Sequence, residues 1–276
     1  VTEFNDLKLD KWQSPIEPEH GHTGYRIAVI VIVLLGLAGA GYYLLWQRAQ
    51  PAPTDVKVHT EQAVASTAPK PTAVPGETID LPPLAQSDGI VRELVSKLSS
   101  HPTVAAWLTT DNLIRNFTVV VQNVSSGRSP ARFLGKVKPA GSFQVIERGA
   151  DLRVDPRTYH RYDGYADAIA ALDAQGAARL YQTLKPRIAD AYRELGYPEG
   201  DFDTVMHRAV VELLKTPVLE ETPALKPKSV VYEYADPRLQ SLSPAQRQLL
   251  RMGPRNVRLV QAKLREIAPH LGMTVE

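Results

Sequence analysis

The chain has 276 residues, with 32 Lys and Arg against 30 Asp and Glu and no cysteine. A net charge of +2 speaks against wholesale nucleic-acid binding, and the lack of cysteine excludes disulfides, thiolate metal sites and cysteine nucleophiles. The charge is uneven: residues 1–80 hold 6 basic and 9 acidic side chains, leaving 26 and 21 for the mildly basic remainder.

Residues 1–26 form a polar N-terminal tail. Its Glu17, Glu19, His20 and His22 could chelate a metal, although the spacing is a weak signal and no cofactor is assigned. From Ile27 to Trp46 there are twenty residues without a charge. As a helix this run covers about 30 Å, the thickness of a bilayer's hydrocarbon core. Tyr25 and Arg26 precede it, and Tyr42, Tyr43, Trp46 and Arg48 close it, as expected where a span meets its two interfaces. The residues around Ala38 and Ala40 resemble a signal cleavage site, but the apolar run continues to Trp46, which favours an uncleaved anchor. Gly36 and Ala40 make a small-xxx-small pair suited to packing a second copy of the helix, and so to a homodimer. Lys8, Lys11 and Arg26 on one side outnumber Arg48 and Lys57 on the other, which predicts a cytoplasmic N-terminus.

Residues 47–80 include Pro51, Pro53, Pro69, Pro71 and Pro75 and few large apolar groups. Their composition predicts a disordered Pro/Ala-rich tether. Helical periodicity begins after Leu81-Pro82-Pro83-Leu84, so a soluble helical domain is expected over 81–276. Ile90, Val91, Leu94, Val95 and Leu98 recur at three and four, with Ser87 as N-cap. Pro102 opens a short helix through Val104, Trp107 and Leu108. Leu113 to Val124 marks a third, stopped by Gly127. Phe143 and Val145, then Leu152 and Val154, alternate around Gly149, which predicts one small β-hairpin. Ala177 to Leu195 is a helical stripe that Pro186 should kink or split. Phe202 to Leu214 is another. Ser243-Pro244-Ala245-Gln246 reads as a capping box, Gly253 as a stop, and Val257, Val260, Leu264, Ile267 and Leu271 as the inner face of a last helix. The fold class is therefore mainly α: a single-pass transmembrane helix, a tether, and a compact multi-helix domain with one hairpin.

Several strings in the soluble part carry a family likeness: Leu81-Pro82-Pro83-Leu84-Ala85-Gln86-Ser87-Asp88, Gly127 to Ala131, Pro139 to Phe143, Gly176 to Tyr181, and Ser243 to Arg255. Residues Leu81 to Leu271 resemble the bacterial Domain of Unknown Function 3014 family. The resemblance implies an anchored envelope protein of Gram-negative type and transfers no activity or catalytic residue.

No phosphate-binding loop, dinucleotide fingerprint, nucleophile elbow or His-Glu-x-x-His is present. His101, His160, His207 and His270 share no ligand spacing. Tyr159-His160-Arg161-Tyr162-Asp163 gathers titratable groups, but adjacent residues diverge, so a pair of core tyrosines with polar neighbours is the simpler account. The terminal helices carry Arg247, Arg251, Arg255, Arg258 and Arg265 with few acids, and Arg255 stands in a first turn where the helix dipole disfavours a cation. An anion, the domain's own carboxylates or a solvated face would answer these charges. Together these features predict an envelope scaffold or partner-binding module of the bacterial inner membrane, its domain periplasmic. It would engage the lipid bilayer and another envelope protein, and the only enzyme reading left open is one of unrecognised type. The alternative is a binding domain for a small anionic ligand or anionic envelope polymer.

Overall fold

A computed structural model describes residues 71–134, 139–149, 151–229 and 231–275. The polar tail, the expected membrane helix with Gly36 and Ala40, and the expected tether up to residue 70 lie outside the described residues. Among the described residues no helix is long and apolar enough to cross a membrane.

Among the described residues, nine α-helices and four short strands follow one another. In chain order they are α1 (Asp88–Leu98), α2 (Pro102–Trp107), α3 (Leu113–Ser125), β1 (Val145–Arg148), β2 (Asp151–Val154), α4 (Asp163–Ala170), α5 (Ala174–Glu194), α6 (Phe202–Leu214), β3 (Leu225–Lys228), β4 (Val231–Tyr234), α7 (Pro237–Gln240), α8 (Pro244–Leu250) and α9 (Pro254–His270). The domain is mainly helical, and the expected stripes bury as their spacing requires. Val257, Val260, Leu264, Ile267 and Leu271 are all at most 1% exposed, because residues three and four apart share one face of α9. That face packs on α4 and α5, while α3 packs on α5 and α6, making one continuous core.

Local chemistry sets the helix ends. Ser243 and Gln246 form the capping box of α8 with Pro244 in its first turn, and Gly127 takes φ +68° just past α3. Ser87 does stand at the N-cap of α1, but its hydroxyl donates back to Leu84 O at 2.8 Å rather than capping the helix. The first carboxylate of α1 serves a different helix: Asp88 accepts from the backbone N–H groups of Asn112 and Leu113, where α3 starts. At the start of α6, the Asp203 carboxylate accepts from the Tyr181 hydroxyl and the Lys185 ammonium of α5. A buried charge answered from both sides in this way clamps the two helices together.

The expected break at Pro186 does not occur. α5 runs unbroken from Ala174 to Glu194, with Pro186 inside it. Proline removes only the one hydrogen bond its N–H would have made to Gln182 O, and packing on both sides holds the helix together. The incoming chain crosses at this position. A Cβ on Gly76 would stand 2.6 Å from Gln182 C, Glu77 N–H donates to Thr183 Oγ1 at 2.9 Å, and Val74 N–H donates to His270 O at 2.9 Å. Residues 71–80, whose composition resembles the tether before them, therefore lie against α5 and the end of α9.

Two antiparallel hairpins are present where the sequence led us to expect one. β1–β2 turns at Gly149, as expected, with Val145 opposite Val154. The second pairs Leu225 with Tyr234 and Lys228 with Val231. Its signal is masked by Pro227 inside a strand and by a turn at Ser229, a non-glycine residue with φ +51°. A bridge between Arg153 and Ala224, with Val154 N–H donating to Pro223 O at 3.2 Å, joins the hairpins.

The α9 stripe gives a direct test of the core. Leu264→Ala removes a side chain 1% exposed and should lower unfolding free energy by about 2–5 kcal/mol, measured by denaturant titration of the full chain. A loss below about 0.5 kcal/mol would mean that this face is not packed.

Candidate functional site

The two hairpins and the α8–α9 corner enclose an open cleft of about 640 Å³. Its floor and walls come from four places. β3–β4 gives Leu225, Tyr232 and Tyr234, β2 and the chain before β1 give Val154 and Phe143, a 3-10 helix over Pro156–Tyr162 gives Arg161 and Tyr162, and α8 gives Arg247 and Arg251. Tyr232 and Tyr234 are two apart on one strand and so share a face. Arg247 and Arg251 are four apart and share a face of α8, at the end where the helix dipole favours cations.

Gly253 fixes the corner. Its φ of +83° and ψ of 164° suit only glycine, and a Cβ there would stand 2.4 Å from Tyr159 Cγ. The Tyr159 ring thus sits directly on the backbone between α8 and α9. Burial pushes the Tyr159 phenol up to about 12, with Tyr234 adding to the shift. Burial likewise raises Tyr234, against the opposing influence of Arg251 and Arg247. Both phenols stay protonated near neutral pH, and Tyr234 lines the same cleft as the two guanidinium groups.

Among the described residues, Arg92, Arg115, Arg153, Arg157, Arg187, Arg193, Arg238, Arg255 and Arg258 each face a carboxylate within salt-bridge distance, whereas Arg128, Arg132, Arg179, Arg208 and Arg265 stand outside the cleft without one. Among the described residues, no carboxylate pairs with Arg161, Arg247 or Arg251. Neutral acceptors hold them instead: Arg161 donates to Thr158 O at 3.1 Å and Gly141 O at 3.0 Å, Arg247 to Gln240 O, and Arg251 to Gln248 Oε1 at 3.2 Å. Arg161 also lies 5.3 Å from the centroid of the Tyr162 ring. Glu233 lines the cleft as well, but it is engaged by Lys228 across the hairpin. Three oriented cations in one concavity therefore carry charge that the domain does not neutralise.

The five arginines singled out by the sequence separate into three groups. Arg247 and Arg251 enter the cleft. Arg255 meets Asp167 at 2.6 Å and Asp163 at 3.8 Å, and Arg258 meets Glu220 at 2.6 Å. Its own domain thus answers the position of Arg255 against the α9 dipole: the hydrogen bond to Asp167 is the main cause of its raised pKa. Arg265 is exposed on α9, away from the cleft lining.

His160 Nδ1 and Asp163 Oδ2 lie 2.7 Å apart, and Asn256 donates to Asp163 Oδ1 at 2.9 Å. Burial works against the Asp163 charge, yet hydrogen bonds from His160 and Asn256, with the charges of His160 and Arg255, hold its carboxyl below the usual range. This network ties the start of α4 to α9 and lies outside the cleft lining. Among the described residues no group of three or more His, Asp or Glu gathers as a metal site would require.

Sequence reasoning missed Arg161, Phe143, Tyr232 and Tyr234 as site residues. Arg161 belonged to the noted Tyr159–Asp163 string, where attention to acid–base pairs hid its role. The alternation of Tyr232 and Tyr234 around Glu233 was a signal for the second strand.

A family model described as "Protein of unknown function (DUF3014)" matches residues 113–268. The chain belongs to this DUF3014 family. The match runs from α3 almost to the end of α9 and takes in every residue lining the cleft, whereas the string at residues 81–88 lies outside it. No curated protein and no solved structure matches the chain.

The corner is open to test. Gly253→Ala should cost about 1–3 kcal/mol from backbone strain, with the displacement of Tyr159 added to it. Denaturant unfolding should show this loss, and near-ultraviolet circular dichroism should change as the tyrosines move. An unchanged midpoint would mean that the corner is not held by this contact.

Proposed function

We propose that this DUF3014 protein is a membrane-anchored binding module whose cleft holds an anionic ligand. The observation that carries the reading is the set of three guanidiniums, Arg161, Arg247 and Arg251, oriented into one cleft by neutral acceptors and with no carboxylate partner among the described residues. A cation that lacks an internal partner and is partly withdrawn from water attracts an anion more strongly than one on an open surface. Binding, rather than catalysis, fits a lining whose single acid is already engaged and whose Tyr234 phenol is raised by burial. A concave site with aromatic walls and a few convergent charges is also the usual form of a ligand pocket. This reading keeps Arg247 and Arg251 from the C-terminal arginine face and assigns Arg255 and Arg258 to intramolecular pairs.

The uncharged run over Ile27–Trp46 supports anchoring, and its flanking charges support a cytoplasmic N-terminus with the domain in the periplasm of a bacterial inner membrane. Such an arrangement suits an envelope scaffold that recruits a partner or polymer through its cleft, and Gly36 and Ala40 would pair two anchors. In this topology, a reporter active only outside the cytoplasm and fused after Glu276 is active, and alkaline washing leaves the chain in the membrane. Release into the soluble fraction would remove the anchor. Activity of a cytoplasmic reporter would reverse the orientation.

Thermal melts of the full chain in detergent test the cleft. Phosphate, sulfate and citrate should raise the melting temperature of the wild type, and an anion at about a hundred times its dissociation constant adds about 2.7 kcal/mol. Arg247→Gln with Arg251→Gln should abolish that gain, whereas Arg255→Ala should leave the gain intact while lowering the melt of the anion-free protein slightly. Equal gains in wild type and the double variant would place the anion elsewhere.

A further inference from the structure

The shape and lining of the cleft narrow the class of anion. Phe143 and Tyr232 stand at its mouth with ring centroids 6.1 Å apart, tilted at 46°, and are 38% and 42% exposed. Large aromatic rings left this open to water, next to charges without internal partners, mark a surface prepared for a ligand that has both a flat apolar face and an acid group. Sugar rings meet that description. Their axial C–H bonds carry slight positive charge and lie against the negative face of an aromatic ring, while a ring carboxylate offers two oxygens to a guanidinium fork.

An extended acidic peptide fits less well. Strand addition beside Tyr232 would use the outer edge of β4. The bond from Ala235 N–H to Ala224 O, with the hairpin register, turns the backbone groups of Tyr232 and Tyr234 to that edge. The Tyr234 N–H is already taken by Gln240 Oε1 at 3.0 Å, so the row of donors a peptide needs is broken. Headgroups of the anchoring bilayer are also poorly placed. The incoming chain docks at His270, at one end of α9, whereas Arg251 and the cleft stand just before the other end. The 17 residues of α9 separate the two by about 25 Å.

We propose that the ligand is an acidic glycan, a chain of sugar rings bearing carboxylates. Its ring faces lie against Phe143 and Tyr232, and its acid groups are held by Arg161, Arg247 and Arg251. The proposal rests on the anion-binding reading of the cleft and assigns the ligand's chemical class.

Isothermal titration calorimetry of the full chain in detergent micelles tests it with five probes. These are tetragalacturonate, neutral cellotetraose, a tetraglutamate peptide, inorganic phosphate, and glycerol 3-phosphate as a soluble lipid-headgroup stand-in. Tetragalacturonate should bind about ten-fold more tightly than each of the others, Arg251→Gln or Arg247→Gln should weaken it about ten-fold, and Tyr232→Ala should weaken it several-fold. All three variants change exposed or half-buried side chains, and their melts check that the fold is retained. If tetraglutamate or a phosphate binds as well as tetragalacturonate, and Arg251→Gln weakens it, the glycan is overturned while the anion cleft stands. Equal binding of cellotetraose overturns the role of charge, and full affinity in Tyr232→Ala overturns the role of the rings. If no probe binds, or Arg251→Gln changes nothing, the cleft reading falls with the proposal.

Discussion

The contact between the Tyr159 ring and the backbone at Gly253 joins the helical core to the cleft. Only a residue without a Cβ lets the ring approach so closely, and only glycine adopts the backbone angles that turn α8 into α9 there. On one side of this contact, α8 carries Arg247 and Arg251. On the other, the 3-10 helix that holds Tyr159 also holds Arg161 and Tyr162. Asn256, three residues after Gly253, adds bonds to Tyr159 O and Asp163 Oδ1 that keep the 3-10 helix against α9. The three guanidiniums converge because their two carrier segments are pinned to each other at this point, behind the cleft. No interaction among the arginines themselves is needed, and their mutual repulsion would oppose it.

Several arginines outside the cleft are neutralised over short spans: Arg157 with Asp155, Arg238 with Asp236, Arg187 and Arg193 with Asp190. Exposed pairs of this kind contribute little to stability and can form wherever acids and bases are interspersed. In the cleft, backbone carbonyls and side-chain amides hold the guanidiniums in place without cancelling their charge. Orientation without neutralisation is what a preorganised anion site requires, because the cost of ordering the side chains is met before the ligand arrives.

Helical features with local causes were legible in the sequence. The capping box at Ser243, the stop at Gly253 and the stripe of α9 depend on residues within a turn or two of one another, and each appears at its expected position. Where tertiary contacts decide the outcome, the sequence was a weaker guide. Pro186 stays inside α5 because neighbours on both sides hold the helix, and the second hairpin forms despite Pro227 because that residue sits where a strand donates no ladder bond. The arginine face was legible as a charge excess, but its division was not. Arg255 meets Asp167, 88 positions away in the chain, and no periodicity links the two.

The position of the incoming chain gives the domain two distinct ends. Residues 74–77 are fastened at two places, where Glu77 N–H donates to the Thr183 hydroxyl of α5 and where Val74 N–H donates to His270 O at the C-terminal end of α9. The second acceptor is one of the carbonyls that a helix end leaves unpaired within the helix. α9 then acts as a rigid strut: its buried face is locked in the core, its last turn holds the incoming chain, and its first turn follows the glycine corner behind the cleft. An anchor attached through this segment would pull on the bundle at the end remote from the hairpins. The cleft would keep its geometry under that load, because the elements that shape it are tied to α9 at its opposite end.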